Sequence, residues 1–269
     1  MSSVIRAGEP YSAAATAKII EGFNRDGYYV LGPTLEADEV EALRGAMQRK
    51  LTDPRILADP EGDHSRGSSL MRMFEYDSAF RDLIVREPFS TLAEAILGEN
   101  CQVMSQNALY SEPGQGGGWH LDDLIHFPVP EGVERHDPRL VMPCFVLQIF
   151  VLLTDVEAVE YGPTQVVPGS QYAGRRPHTQ DNPTFEGRGP VSIIGRAGDA
   201  YLFNNQVWHQ GALNTSDRTR FLGGVTYSKR FIAQRFYPFI DYRMPEHVWE
   251  GASPRLQRFL GRHDQGSYG

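Results

Sequence analysis

Cysteine is nearly absent: a chain of 269 residues holds only Cys101 and Cys144. Two thiols outside any CxxC or zinc-type spacing cannot frame a disulfide-stapled fold, so both read as buried apolar residues in a reducing compartment. Positive charge is also scarce. The 26 Lys and Arg are outnumbered by 34 Asp and Glu, leaving a formal net charge of −8. A general nucleic-acid surface needs clustered cations, which this balance argues against. No long hydrophobic run occurs either, since the stretch from Pro143 to Leu153 is too short to span a bilayer and is broken by Gln148. Met1 to Pro10 lacks a basic segment followed by an apolar one, so no secretory signal is expected. Internal repeats, low-complexity tracts and Pro/Gly/Ser-rich linkers are missing as well. These absences point to a single soluble, cytoplasmic domain over residues 1–269, with no membrane or nucleic-acid partner. They leave its oligomeric state open.

What is present is ordinary for a globular chain, with 41% hydrophobic and 22% charged residues, enough for a sizeable core. The first hundred residues have helical texture. Ile19, Ile20 and Phe23 share one face of a helix over Ala13 to Asp26, which Gly27 stops. Tyr28 to Leu31 reads as a strand ended by Gly32-Pro33. Thr34 then opens a second helix over Glu36 to Leu51, with Val40, Leu43 and Met47 inward. Phe80 to Leu97 is a third candidate, interrupted near Pro88. From residue 102 short β-like runs alternate with turns: Gln102 to Tyr110, Phe145 to Leu153, Thr164 to Val167, Val191 to Ile194, Ala200 to Phe203 and Thr219 to Tyr227. This order predicts a mainly β fold with flanking helices, a double-sheet jelly roll whose mouth suits a metal site. Helical support is expected over about 1–100, the jelly-roll core over about 101–235, and a C-terminal extension over about 236–269.

The chemistry concentrates in Trp119-His120-Leu121-Asp122. On a strand, side chains at i and i+2 point the same way, so His120 and Asp122 share a face. An imidazole and a carboxylate so placed supply two of three protein ligands in the facial triad that leaves positions open on non-haem iron. A turn and strand from Ala197 to Phe203, followed by Val207-Trp208-His209, offers the third ligand in His209. The turn cluster Asn214 to Asp217 then returns the chain through Arg220, on a neighbouring strand near the same cavity. An arginine there can grip the distal carboxylate of 2-oxoglutarate in a bidentate fork.

In that order, His120-Leu121-Asp122, His209 and Arg220 resemble the phytanoyl-CoA dioxygenase family of Fe(II)/2-oxoglutarate oxygenases. The resemblance runs through nearly the whole chain. It includes Phe23 to Val30, Leu153-Thr154-Asp155, Tyr161 to Ser170, Ala197 to Phe203 with Trp208-His209, and Asn214 to Arg220. It implies a double-stranded β-helix (cupin-like jelly roll), with Fe(II), 2-oxoglutarate and O₂ as cofactor and cosubstrates, and succinate and CO₂ as coproducts. Asn107, on the strand before the first ligands, has two readings: a contact with the keto acid, in the manner of the family, or a plain cross-strand hydrogen bond. Many relatives carry histidine where this chain has Gln171, a departure expected to change local hydrogen bonding and not the metal.

The resemblance does not name the prime substrate. A small organic or natural-product-like molecule is the expectation, because an acidic chain with few paired basic residues suits a polyanionic CoA ester poorly. The expected reaction is oxidation of an aliphatic C–H bond, most simply hydroxylation. An iron halogenase on the same fold is disfavoured by Asp122, which occupies the place a halide would need. A non-catalytic metal- or sugar-binding jelly roll would explain the fold but gives no reason for Arg220. His126 reads as a solvated loop histidine, the alternative being a place lining the substrate entrance. His64, His136, His178, His247 and His263 are isolated, and Arg175-Arg176 and Lys229-Arg230 read as solvated pairs.

Overall fold

Helix α1 (Ala13–Asp26) begins where Ser12 Oγ accepts the Ala15 N–H at 3.3 Å and ends at Gly27, whose φ of 79° suits a residue without Cβ. Ile19 and Phe23 lie one turn apart and are buried, as their spacing predicts. This computed structural model describes residues 4–57, 65–66 and 68–264; His64 lies outside them. Gly27 hands the chain to β1 (Tyr28–Pro33), and α2 (Ala37–Leu51) follows with Val40, Leu43 and Met47 buried. Thr34 does not cap α2. Its hydroxyl donates to Gly198 O at 3.0 Å, while the Glu39 carboxylate accepts the Glu36 N–H at 2.9 Å. The third helical stretch is divided, with helices at Ser78–Leu83 and Phe89–Leu97 on either side of Pro88.

The remaining strands are β2 (Ser65–Arg66), β3 (Ser69–Met71), β4 (Gln102–Ser105), β5 (Asn107–Ser111), β6 (Val146–Leu152), β7 (Thr164–Val166), β8 (Val191–Ser192), β9 (Asp199–Asn204), β10 (His209–Gly211) and β11 (Arg220–Ser228). Among the described residues they form two sheets. The large one runs β1-β9-β6-β11-β5-β3-β2, with β4 also on β11; the small one runs β10-β7-β8. Their pairings are antiparallel.

Period-two alternation sorts the large sheet into two faces. Phe221, Val225 and Tyr227 of β11 join Leu147, Ile149 and Val151 of β6 in a core shared with the helices. Leu222 joins Phe150, Leu152, Tyr201 and Phe203 on the other face, against Val166 of the small sheet. Each such side chain, fully buried, contributes about 1.5–3 kcal/mol. The result is a jelly roll with helices on one face and an open mouth, not a closed barrel. Arg220 lies opposite Ser111 in register, and Leu222 opposite both Leu109 and Leu152. Extending this alternation puts Asn107, Gln148 and Arg220 on the inner face.

The structure departs from expectation at His120 and Asp122, the first candidate ligand pair. His120 forms only an isolated bridge, and the chain bends over residues 122–124 instead of continuing as a strand. The run from Gln102 to Tyr110 is likewise two strands, divided at Gln106.

Candidate functional site

His120 and His209 are brought together by backbone pairing. Their N–H groups donate to each other's carbonyls at 2.9 and 2.8 Å, and the imidazole centroids stand 4.3 Å apart. Asp122 is held beside them by its N–H, which donates to Asn205 O at 3.0 Å. One candidate ligand atom from each of His120, Asp122 and His209 lies within 4.8 Å of the others. His120 Nε2 is 3.7 Å from Asp122 Oδ1, and His209 Nε2 is 3.6 Å from Asp122 Oδ2.

The other ring nitrogens fix the chemistry. His120 Nδ1 lies 2.7 Å from Gly118 O, and His209 Nδ1 lies 2.9 Å from Val207 O. A carbonyl only accepts, so each Nδ1 carries a proton, and in the neutral form of each ring it is Nε2 that offers the lone pair to a metal. Burial pushes the His209 imidazole below its ordinary range; the Asp122 charge opposes this and His120 adds to it. His209 is therefore neutral at pH 7, the state a ligand requires. Two imidazoles and a carboxylate, partly exposed at His120 and Asp122 and buried at His209, form a cluster that could hold a metal ion, with the donor set of a facial triad.

Arg220 begins β11 and is only 7% exposed. Its Nη1 donates to Gly162 O, while Nε is buried without a partner. No ion pair joins Arg220 to a carboxylate among the described residues. Burial lowers its pKa, which Tyr201 partly offsets, yet a guanidinium stays protonated at working pH. A buried cation with an unmade hydrogen bond is costly unless an anion completes it. A cavity of about 460 Å³ is lined by His120 and Arg220 together with Tyr110, Ser111 and Gly211. Nearby, Tyr201 Oη and Thr164 Oγ1 share a hydrogen bond of 2.7 Å, and burial pushes the phenol up to about 12. Asn107 Oδ1 is buried without a partner.

Three neighbours of Asp122 escaped the sequence reading. Gln148 Nε2 donates to Asp122 Oδ2. Gln206 Nε2 donates to Asp122 O at 3.2 Å, and Asn205 accepts the Asp122 N–H. Gln148 left a signal, since a lone amide inside an apolar strand needs a buried partner. Asn205 and Gln206 left none.

The other candidates fall elsewhere. Gln171 Nε2 donates to Asn24 O at 3.1 Å, at the end of α1. His126 packs on Phe145 at 5.4 Å, and burial lowers its pKa. His136, His247 and His263 bind Phe127 O, Glu75 O and Gln102 Oε1, and His178 tilts over Trp208. Arg175 and Arg176 donate to backbone carbonyls, as does Lys229. Both cysteines are free and buried, their thiols pushed up to about 11 for Cys101 and about 12 for Cys144, which makes them inert. Among the described residues, no helix is long and apolar enough to cross a membrane.

The chain is similar to several known proteins. The chain is 28% identical over 177 residues to the ectoine dioxygenase of Stutzerimonas stutzeri, a match covering 63% of this chain and 55% of that enzyme. It thus spans about half the length of that relative. It is 26% identical over 239 residues to L-proline trans-4-hydroxylase of Streptomyces griseoviridis, covering 77% and 84%. The fold resembles the epimerase SnoN solved with Fe³⁺, alpha ketoglutarate and nogalamycin RO, with TM-score 0.61, 24% identity and coverage of 83% and 87%. It also resembles iron-bound HygX of Streptomyces hygroscopicus, with TM-score 0.62, 14% identity and coverage of 81% and 88%. The phytanoyl-CoA dioxygenase (PhyH) profile matches residues 23–222, a span that contains Asn107, the His-Asp-His cluster and Arg220. The chain belongs to the phytanoyl-CoA dioxygenase family.

Proposed function

We propose that His120, Asp122 and His209 hold Fe(II), that Arg220 anchors 2-oxoglutarate, and that the enzyme hydroxylates an aliphatic C–H bond of a small organic substrate. The observation that carries this reading is the pairing of a two-imidazole, one-carboxylate cluster with a buried arginine that lacks a carboxylate partner. Iron with 2-oxoglutarate and O₂ supplies the oxidising chemistry, with succinate and CO₂ released. The chain's own part is placement. Gly118 O and Val207 O keep both Nε2 lone pairs turned to one point. Gln148 fixes the Asp122 carboxylate. Arg220 keeps Nε and Nη2 for the distal carboxylate, because Nη1 is committed to Gly162 O. Asn107, on the same inner wall, contributes its amide to the keto acid. Phe150, Tyr201, Phe203 and Leu222 exclude water around it.

Ectoine dioxygenase and proline hydroxylase act on small molecules by name, which favours a small substrate here. The test is anaerobic addition of 2-oxoglutarate to protein loaded with Fe(II). A weak visible charge-transfer band is expected in wild type and not in the Arg220→Met variant. Absence of the band in wild type would defeat the proposal. A screen for compounds that accelerate succinate release then identifies the substrate.

A further inference from the structure

Asp123, next to the proposed ligand Asp122, has φ of 62°. Most L residues avoid this left-handed region; Asp and Asn tolerate it best. Its polar groups are engaged from three directions. Asn205 Nδ2 donates to Asp123 Oδ2 at 3.3 Å, and Arg235 Nη1 makes an ion pair with Oδ1. Arg176 Nη2 donates to the Asp123 carbonyl at 3.3 Å. The Asp123 side chain is 14% exposed although Arg235 is 49% exposed. The clamp also extends to Asp122. Asn205 accepts the Asp122 N–H through its own carbonyl, so one residue grips both aspartates. Arg235 is itself fixed, since its N–H donates to Met104 O at 2.7 Å.

We propose that Asp123 is a positioning residue for the metal centre. Its left-handed backbone, locked by Asn205, Arg235 and Arg176, turns the chain so that the Asp122 carboxylate faces the two imidazoles. No strand ladder does this, because pairing stops at the isolated bridge of His120 and the chain bends over residues 122–124. The inference rests on Asp122 being a ligand, and its test separates the two claims.

The probe is Co(II), added to the whole protein under nitrogen, with affinity and the visible d–d bands as readouts. Wild type is expected to bind, and Asp122→Ala to lose binding. Asp123→Ala, which must adopt an angle alanine disfavours and lacks the carboxylate, is expected to bind about tenfold or more weakly with altered bands. Asp123→Asn, which accepts the angle and can still take the Asn205 hydrogen bond, is expected to stay close to wild type. A purely structural role would lower the melting temperature of Asp123→Ala without changing its bands. Should Asp123→Ala not fold, Asp123→Gly carries the test: it accepts the angle but loses the side-chain contacts to Asn205 and Arg235, so weaker binding is again expected. Wild-type affinity and bands in the folded Ala or Gly variant would overturn the proposal while leaving the triad intact. Full Co(II) binding by Asp122→Ala would instead overturn the triad, and the positioning role with it.

Discussion

Arg220→Lys should weaken 2-oxoglutarate binding strongly although charge is kept. In the native chain Nη1 is committed to Gly162 O and Nε lacks a partner, so Nε and Nη2 remain as two parallel donors for a carboxylate. Lysine offers a point charge and loses the fork. Hydrogen bonds to charged groups are worth about 1.5–3 kcal/mol, so one lost bond lowers affinity about ten- to a hundredfold. A second effect follows from burial, which already pushes the arginine down. At the same site an amine is pushed down further into the working range, and only its protonated form attracts a dicarboxylate. The affinity of the lysine variant should therefore fall as pH rises through that lowered pKa, whereas wild type stays flat because guanidinium remains charged. The assay is anaerobic titration of the Fe(II) protein with 2-oxoglutarate across pH, reading the charge-transfer band. Unchanged affinity with a flat pH profile would refute the anchoring role and shift attention to Arg218, which stacks over Tyr161 at 4.1 Å.

His120→Ala, Asp122→Ala and His209→Ala should each lose tight Fe(II) binding and turnover while circular dichroism stays native, since His120 and Asp122 are partly exposed and His209 sits at a strand end. A variant with wild-type turnover would remove that residue from the ligand set. With Asp122 in the place a halide needs, turnover under ¹⁸O₂ in high chloride should put label in succinate and yield no chlorinated product; chlorination detected by mass spectrometry would exclude Asp122 as a ligand. Tyr227→Phe should cost about 1–3 kcal/mol in urea unfolding, because it orphans Ile84 O, which the buried phenol bonds at 2.8 Å. A loss within error would show that Ile84 O finds another donor.

The sequence determined whatever depends on neighbours along the chain. The bounds of α1 follow from Ile19 and Phe23 one turn apart and from Gly27, which alone accepts the stop. The centres of β6, β9 and β11 follow from apolar runs between turns, and the residue types at 120, 122, 209 and 220 carried the chemistry. Only the tertiary structure decided how these meet. His120 faces His209 through a two-residue backbone bridge, too short to leave a periodic signal. Asp122 is turned inward not by strand alternation, as its spacing with His120 suggests, but by a left-handed Asp123 and by bonds from Gln148, Asn205 and Gln206. Thr34 reads as the opening of a helix, yet its hydroxyl goes to Gly198, a partner that no local pattern announces. Periodicity reports the environment of one element, whereas a hydrogen bond between distant loops exists only after the sheets have paired. That is why the proposed ligands were legible and the clamp around them was not.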